Sequence, residues 1–529
     1  MRGASIHWLL GVCLLIAACA PAQPVPGPAQ PGAPAEPQER RAAQQVLRIG
    51  RPGFPISASP ESSSANNQIF GNQFDTLTSV GKGYQLQPAV ATRWEFLPND
   101  NGWRFFLRRD LTFSNGEKLT AADVEFTARM LLEVSPPLPQ RGLLPKLADV
   151  RLVDEYTVDL LTAGRDSSLL YGTPYLFILP KNYYQSVGKD GFALKPIGSG
   201  PYELVEFKTA DVFRYRLRPN YTHPYRKPIA TEVIWRAIPE STALVNGLRL
   251  GELDIIWTGL SPDQAEAAKR EGNTVVLGEP SSALIAIDKA ASEKYTPALL
   301  DRRVRLALNY AVDRETLAKN LYRGYAQPLN QVAIPGTPAY NPDIPPFRYD
   351  VAEAKRLLAE AGYPNGFKVQ NPLDYTLGFG VLDALFLAVQ DSWKQIGVEV
   401  GLQRNEVGIW VDKFYARNNQ VRNELISSGG SDPVGILLFF RQFITCNNPP
   451  ARIIWCVPEF DRLMDLAYAE PDAAKREQLV REAIKAHQAE ISYVYLLAVP
   501  QIFVAGPKVR GFTVDTATFW TSDNVYKVE

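Results

Sequence analysis

The sequence predicts a mixed α/β protein of several domains, and three observations lead there. Once a short apolar leader and a proline-rich segment are set aside, about 480 residues remain without another long apolar run, enough for two or three domains. β-rich stretches and capped amphipathic helical patterns alternate irregularly along those residues. No internal repeat is visible.

The elements follow in chain order. Val46-Leu47-Arg48-Ile49-Gly50 has the pattern of a short opening strand. Trp103 to Arg108 continues the strand signal, and Asn115-Gly116 within Phe113 to Glu117 is a hairpin-type turn. Thr120-Ala121-Ala122-Asp123 is a capping-box pattern, with Val124, Ala128 and Leu131 on one face, and it predicts a helix over 120–132. Gly200 to Phe207 is β-rich, with Gly198-Ser199-Gly200 as a tight turn leading in. Asp301 to Ala311 and Asp472 to Ala489 are helical patterns behind aspartate caps. The clearest helix is Asp350 to Gly362: Asp350 caps it, Val351, Ala354, Leu358 and Ala361 form one stripe, and Gly362 stops it.

The N-terminus has the order of a secretory signal: Arg2, an apolar run over Ile6 to Ile16, then Ala17-Ala18-Cys19. The run is shorter than the roughly 20 residues a membrane span requires. Ile16-Ala17-Ala18-Cys19 resembles the bacterial lipobox, which implies cleavage before Cys19 and a lipid on its thiol; the alternative is an ordinary signal cleaved elsewhere. Residues 20–37 contain seven prolines, so this segment is expected to be an extended spacer between membrane and body. Ala20, in place of an aspartate, follows the cysteine, which by the lipoprotein-sorting pattern does not retain a protein at an inner membrane.

Lysine plus arginine equals aspartate plus glutamate at 56 each, so no net field attracts nucleic acid or an anionic surface. With Cys13 in the leader and Cys19 at the lipid site, Cys446 and Cys456 remain. In an exported chain they form either one local disulfide or a pair of buried thiols.

A search for catalytic chemistry finds no support. His223 and His487 are the two histidines of the mature chain, far apart and outside any metal-ligand spacing, so no zinc site is expected. Ser186-Val187-Gly188-Lys189 and Ser522-Asp523-Asn524 fit two motifs of penicillin-interacting enzymes, but no Lys-Thr-Gly accompanies them and they lie over 300 residues apart. The chain is therefore expected not to be an enzyme and to carry no cofactor.

Six blocks stand in order, the first running through Phe74-Asp75-Thr76-Leu77, Pro88 to Glu95 and Trp103 to Val124. Ile197 to Tyr202, Ile238 to Ile255, Asp301 to Arg314, Tyr349 to Phe367 and Gly506 to Phe512 are the other five. Together they resemble the family 5 extracellular solute-binding proteins, the peptide and nickel-chelate binders of ABC importers, and the resemblance spans roughly residues 46–520. It implies a two-lobed periplasmic-binding-protein-like α/β fold (class II, cluster C) with an extra domain inserted in the first lobe. Carried onto this chain, lobe I takes 46–72, 197–283 and 498–529, the added domain 73–196, and lobe II 284–497. The implied function is a monomeric substrate-binding lipoprotein that captures an oligopeptide or similar solute and delivers it to a permease and ATPase on other chains.

The resemblance also implies where ligand contacts fall. The loop after the first strand supplies Ser63, Ser64 and Asn66, and a late strand-loop supplies Ser427, Gly429 and Asp432. In one register Asp432 pairs with a ligand amine. In the other, Gly429 takes that position, the amine anchor is absent, and a neutral, sugar-like or opine-like ligand fits better. Phe379, Trp410 and Trp520 are aromatic candidates for the cleft wall. A lipid-anchored surface protein using the same scaffold for adhesion or sensing is the alternative from another class.

Overall fold

Aspartate and threonine caps set the helix starts. Asp350 accepts a hydrogen bond from the Glu353 N–H at 2.9 Å and opens the helix Val351–Glu360. Gly362 follows at φ 94°, a conformation that glycine adopts without strain. Asp301 and Asp472 cap Arg302–Tyr310 and Ala473–Gln488 in the same way. Thr120 and Asp123 form the reciprocal capping box ahead of Ala121–Glu133. The structure, a computed structural model, describes residues 41–53, 57–62, 67–81, 85–97, 101–134, 144, 146–219, 221, 226–376, 383–414, 422–428, 446, 454–514 and 520–529.

A mixed sheet, eleven strands among the described residues, is organised around two long antiparallel strands, Thr274–Ile287 and Tyr493–Ala505. Their pairing slips between Leu277 and Pro280, where Pro280 faces Pro500. Proline has no N–H to give to the ladder, so two facing prolines interrupt it. On one side of the slip, Thr274 to Leu277 pair with Ile502 to Ala505; on the other, Ser281 to Ala286 pair with Tyr493 to Val499.

Each side carries its own lobe. In lobe I the strands Val46–Arg51, Ile255–Trp257, Glu232–Ala237, Val212–Leu217 and Tyr202–Lys208 bury Leu47, Ile49, Trp235 and Phe503 on one face. The other face buries Leu244, Leu248 and Ile256 beneath the helices Ser241–Arg249 and Pro262–Arg270. In lobe II the strands Leu425–Ser428, Leu373–Tyr375 and Leu402–Arg404 extend the sheet. The largest core forms there, around Ile285, Val304, Leu308, Trp393 and Tyr493 to Val499.

A separate four-stranded antiparallel sheet, Ala91–Phe96, Gly102–Leu107, Thr157–Thr162 and Leu147–Asp154, carries a third core. It buries Trp103, Phe105, Val158 and Leu160 against Val124 and Ala128 of the helix Ala121–Glu133. Its junction with lobe I is tight. A Cβ on Gly198 would stand 2.2 Å from the Gln73 carbonyl oxygen, so only glycine fits at this turn before Tyr202–Lys208. The architecture is therefore α/β with two lobes sharing a pair of crossing strands and an extra domain on the first. Cys446 and Cys456 are joined by a disulfide with their Cα atoms 4.8 Å apart.

Candidate ligand-binding site

Strand direction marks a candidate site. Thr274–Ile287 runs from lobe I to lobe II, and Tyr493–Ala505 returns. Ile255–Trp257 is antiparallel to the returning strand, and Val46–Arg51 and Glu232–Ala237 follow it in parallel. All three therefore end toward lobe II. Leu425–Ser428 is antiparallel to the outgoing strand, and Leu373–Tyr375 and Leu402–Arg404 are parallel with it, so these three end toward lobe I. Two sets of carboxyl ends thus face one another across the slip. Crevices outside the carboxyl ends of α/β sheet strands are where such folds take ligands.

The residues expected at the site follow those ends. Ser63, Ser64 and Asn66 come after Arg51, Phe379 after Tyr375, and Gly429 and Asp432 after Ser428; these six lie outside the described residues. Ser427 is buried in its strand, paired with Ile285 on the outgoing crossing strand. Trp410 is half-buried on the helix Val407–Phe414 and stacks on Phe414 with ring centroids 4.8 Å apart. That helix is pinned by Lys413, whose Nζ donates to Asp374 Oδ1 at 2.8 Å. Asn405 donates to the same oxygen at 2.9 Å.

Several buried polar atoms near the slip are unsatisfied. Ser281 Oγ on the outgoing strand, Ser428 Oγ at the end of its own strand, and Trp410 Nε1 have no hydrogen-bond partner among the described residues. Arg51 Nε and Nη1 also have none, and burial alone pulls that guanidinium down to about 10. Sequence reasoning passed over Arg51, Ser281 and Ser428. The one available signal was a second arginine closing an otherwise apolar opening strand.

Trp520 packs on Trp257, the last residue of its strand, at 4.8 Å and on Trp235 at 6.0 Å. It also lines a cavity of about 530 Å³ with Asn67, Asp75, Phe177, Arg226 and Asp523, and none of the described residues of 284–497 lines it. Arg226 bridges Asp523, at 2.9 and 3.1 Å, to Asp75 at 3.2 Å. Burial opposes the charge on Arg226, but Asp523, Tyr221 and Asp75 outweigh it and hold the pKa well above the ordinary arginine value. Ser186 is exposed and donates to the Tyr183 carbonyl, while Ser522 is buried and donates to Asn72 Oδ1. The two serines therefore have separate structural partners.

A family profile described as bacterial extracellular solute-binding proteins, family 5 Middle, matches residues 85–440. This chain belongs to that family. The heme-binding protein A of Haemophilus influenzae is 30% identical to this family 5 protein over 471 residues, 83% of this chain and 84% of that protein. The nickel-binding periplasmic protein of Escherichia coli is 25% identical over 468 residues, covering 84% and 87% of the two chains. The fold is shared with the ABC transporter-associated periplasmic binding protein DppA of Helicobacter pylori, solved with the peptide STSA. That structure superposes with a TM-score of 0.76 over 93% of this chain and 99% of that one, at 24% identity. The two relatives' names carry different solutes, heme and nickel, so membership fixes the role of solute binding and leaves the ligand open. Among the described residues no helix is long and apolar enough to cross a membrane.

Proposed function

We propose that this family 5 protein is the substrate-binding lipoprotein of an ABC importer. It captures an oligopeptide or similar small solute between its lobes and delivers it to a permease and ATPase on other chains. The observation that carries this reading is the pair of facing strand ends across two crossing strands that slip at Pro280 and Pro500. The chain passes between the lobes on these two strands, and rotation about the slip lets the lobes close on a solute. We divide the chain into lobe I at 46–72, 197–283 and 498–529, an added domain at 73–196, and lobe II at 284–497. Cys19 bears the lipid and residues 20–37 form the spacer, which keeps a monomeric binder at high local concentration beside its permease.

Native mass spectrometry of protein purified without denaturation, followed by melting with peptide, sugar and opine panels, tests the reading. The expected result is a retained or added small molecule and a saturable rise in melting temperature. A protein that ignores every panel member and instead binds other proteins is the lipid-anchored surface protein of the alternative reading. A Cys19→Ser variant is expected to leave the membrane fraction; one that stays there overturns the anchor.

A further inference from the structure

Arg51, half-buried at the end of the opening strand, has two guanidinium nitrogens buried without a counter-ion among the described residues. The pairing of Ile49 with Ile255 and Gly50 with Ile256 sets Arg51 level with Trp257. Trp257 pairs with Phe503, and Phe503 with Val276, one residue before the slip begins at Leu277. Arg51 is thus the last residue of its strand on the side of lobe I that faces lobe II. Its Nε and Nη1 are buried without a partner among the described residues. Removing a charge from water without giving it a partner is costly, so folded proteins rarely leave one in that state.

The buried arginines among the described residues have partners. Arg314 gives its N–H groups to the carbonyls of Tyr495 at 2.6 Å, Asn309 at 2.9 Å and Val312 at 3.1 Å. Arg422 holds Asp288 at 2.6 Å, and Arg226 holds Asp75 and Asp523. Of the other cations close to the facing strand ends, Lys413 pairs with Asp374 at 2.8 Å and Arg404 with Asp383 at 3.4 Å. Among the described residues, Arg51 therefore leaves one positive charge at the end of a strand that points toward lobe II.

We propose that Arg51 is the anion anchor of the interlobe crevice and that the solute presents a carboxylate to it. This rests on the crevice being the binding site. A planar carboxylate matches the guanidinium fork with two parallel N–H···O bonds. A monoanion also balances the charge of Arg51, whereas a phosphate dianion exceeds it. Ser428 Oγ and Ser281 Oγ are then free to serve the neutral remainder of the solute.

Two measurements test this. In ligand-free protein, Arg51→Met keeps the apolar stem and removes the unpaired charge. Its melting temperature is expected to equal the wild-type value or exceed it by about 1–3 °C. A fall of more than about 3 °C makes Arg51 a structural residue and overturns the proposal. The second measurement is calorimetric titration with matched pairs, trialanine against its C-terminal amide and an N-carboxyethyl amino acid against its amide. Wild type is expected to bind the acid of a pair about 30-fold or more tighter than the amide. R51M loses that preference, and R51K keeps part of it. Binding without a preference for the acid, or a preference that survives in R51M, sinks the anchor and leaves the importer reading standing. A wild type that binds no probe of any kind counts against the crevice itself, and the anchor falls with it.

Discussion

His487 is fully buried on the helix Ala473–Gln488, between Phe460 and Tyr493, with its Nε2 3.1 Å from Ser492 Oγ. Burial lowers its pKa to about 4. The folded state therefore holds the imidazole neutral, while the unfolded chain takes up a proton below about 6.5. Stability is full above that pH and declines as the pH falls toward 4, by on the order of 3 kcal/mol. Melting curves of wild type and His487→Phe between pH 7.5 and 4.5 check this: the variant should lose that part of the slope. Arg226 gives a second residue-scale prediction. Arg226→Met leaves Asp75 and Asp523 buried without their cation, and urea unfolding should register a loss of about 3–5 kcal/mol. Changing both aspartates to asparagine in the same variant should recover most of it. Neither environment was legible in the sequence. A helical histidine shows its face there, not the rings from residues 460 and 493 that enclose it, and nothing local links residues 75, 226 and 523.

At the scale of elements, local chemistry decides where helices begin and long-range pairing decides where strands point. The Asp350 cap satisfies an otherwise unpaired Glu353 N–H at 2.9 Å. Asp350→Ala should cost about 1 kcal/mol in urea unfolding and Asp350→Asn much less, since asparagine retains the acceptor. The strand pair Thr274–Ile287 and Tyr493–Ala505 follows a different rule. Its partners lie more than 200 residues apart, and its slip depends on Pro280 facing Pro500. The two prolines are visible in the sequence, but their alignment is a property of the register.

The whole molecule is two lobes hung on those crossing strands, with an extra domain packed tightly on the first. Closure about the slip should accompany binding. A solute at 100 times its dissociation constant should stabilise the protein by about 2.7 kcal/mol. X-ray scattering should record a smaller radius of gyration with the solute than without it. An unchanged radius on saturation would mean that the lobes are already closed in the free protein, and closure would then not be the capture step.

The helix caps, the Asn115-Gly116 turn and the ordered blocks of the family 5 scaffold were all determined by the sequence alone. Such signals act within three or four residues, where a side chain meets the backbone it caps or a glycine takes the turn. Tertiary structure alone decided that the strand ends after Arg51 and Trp257 point toward those after Tyr375, Arg404 and Ser428. It also decided that Nε and Nη1 of Arg51 have no partner among the described residues while Arg226, Arg314 and Arg422 find theirs. The reason is physical. A charge is paired or unpaired according to what the register of distant strands brings within about 3 Å of it, and no residue's own neighbours along the chain contain that information.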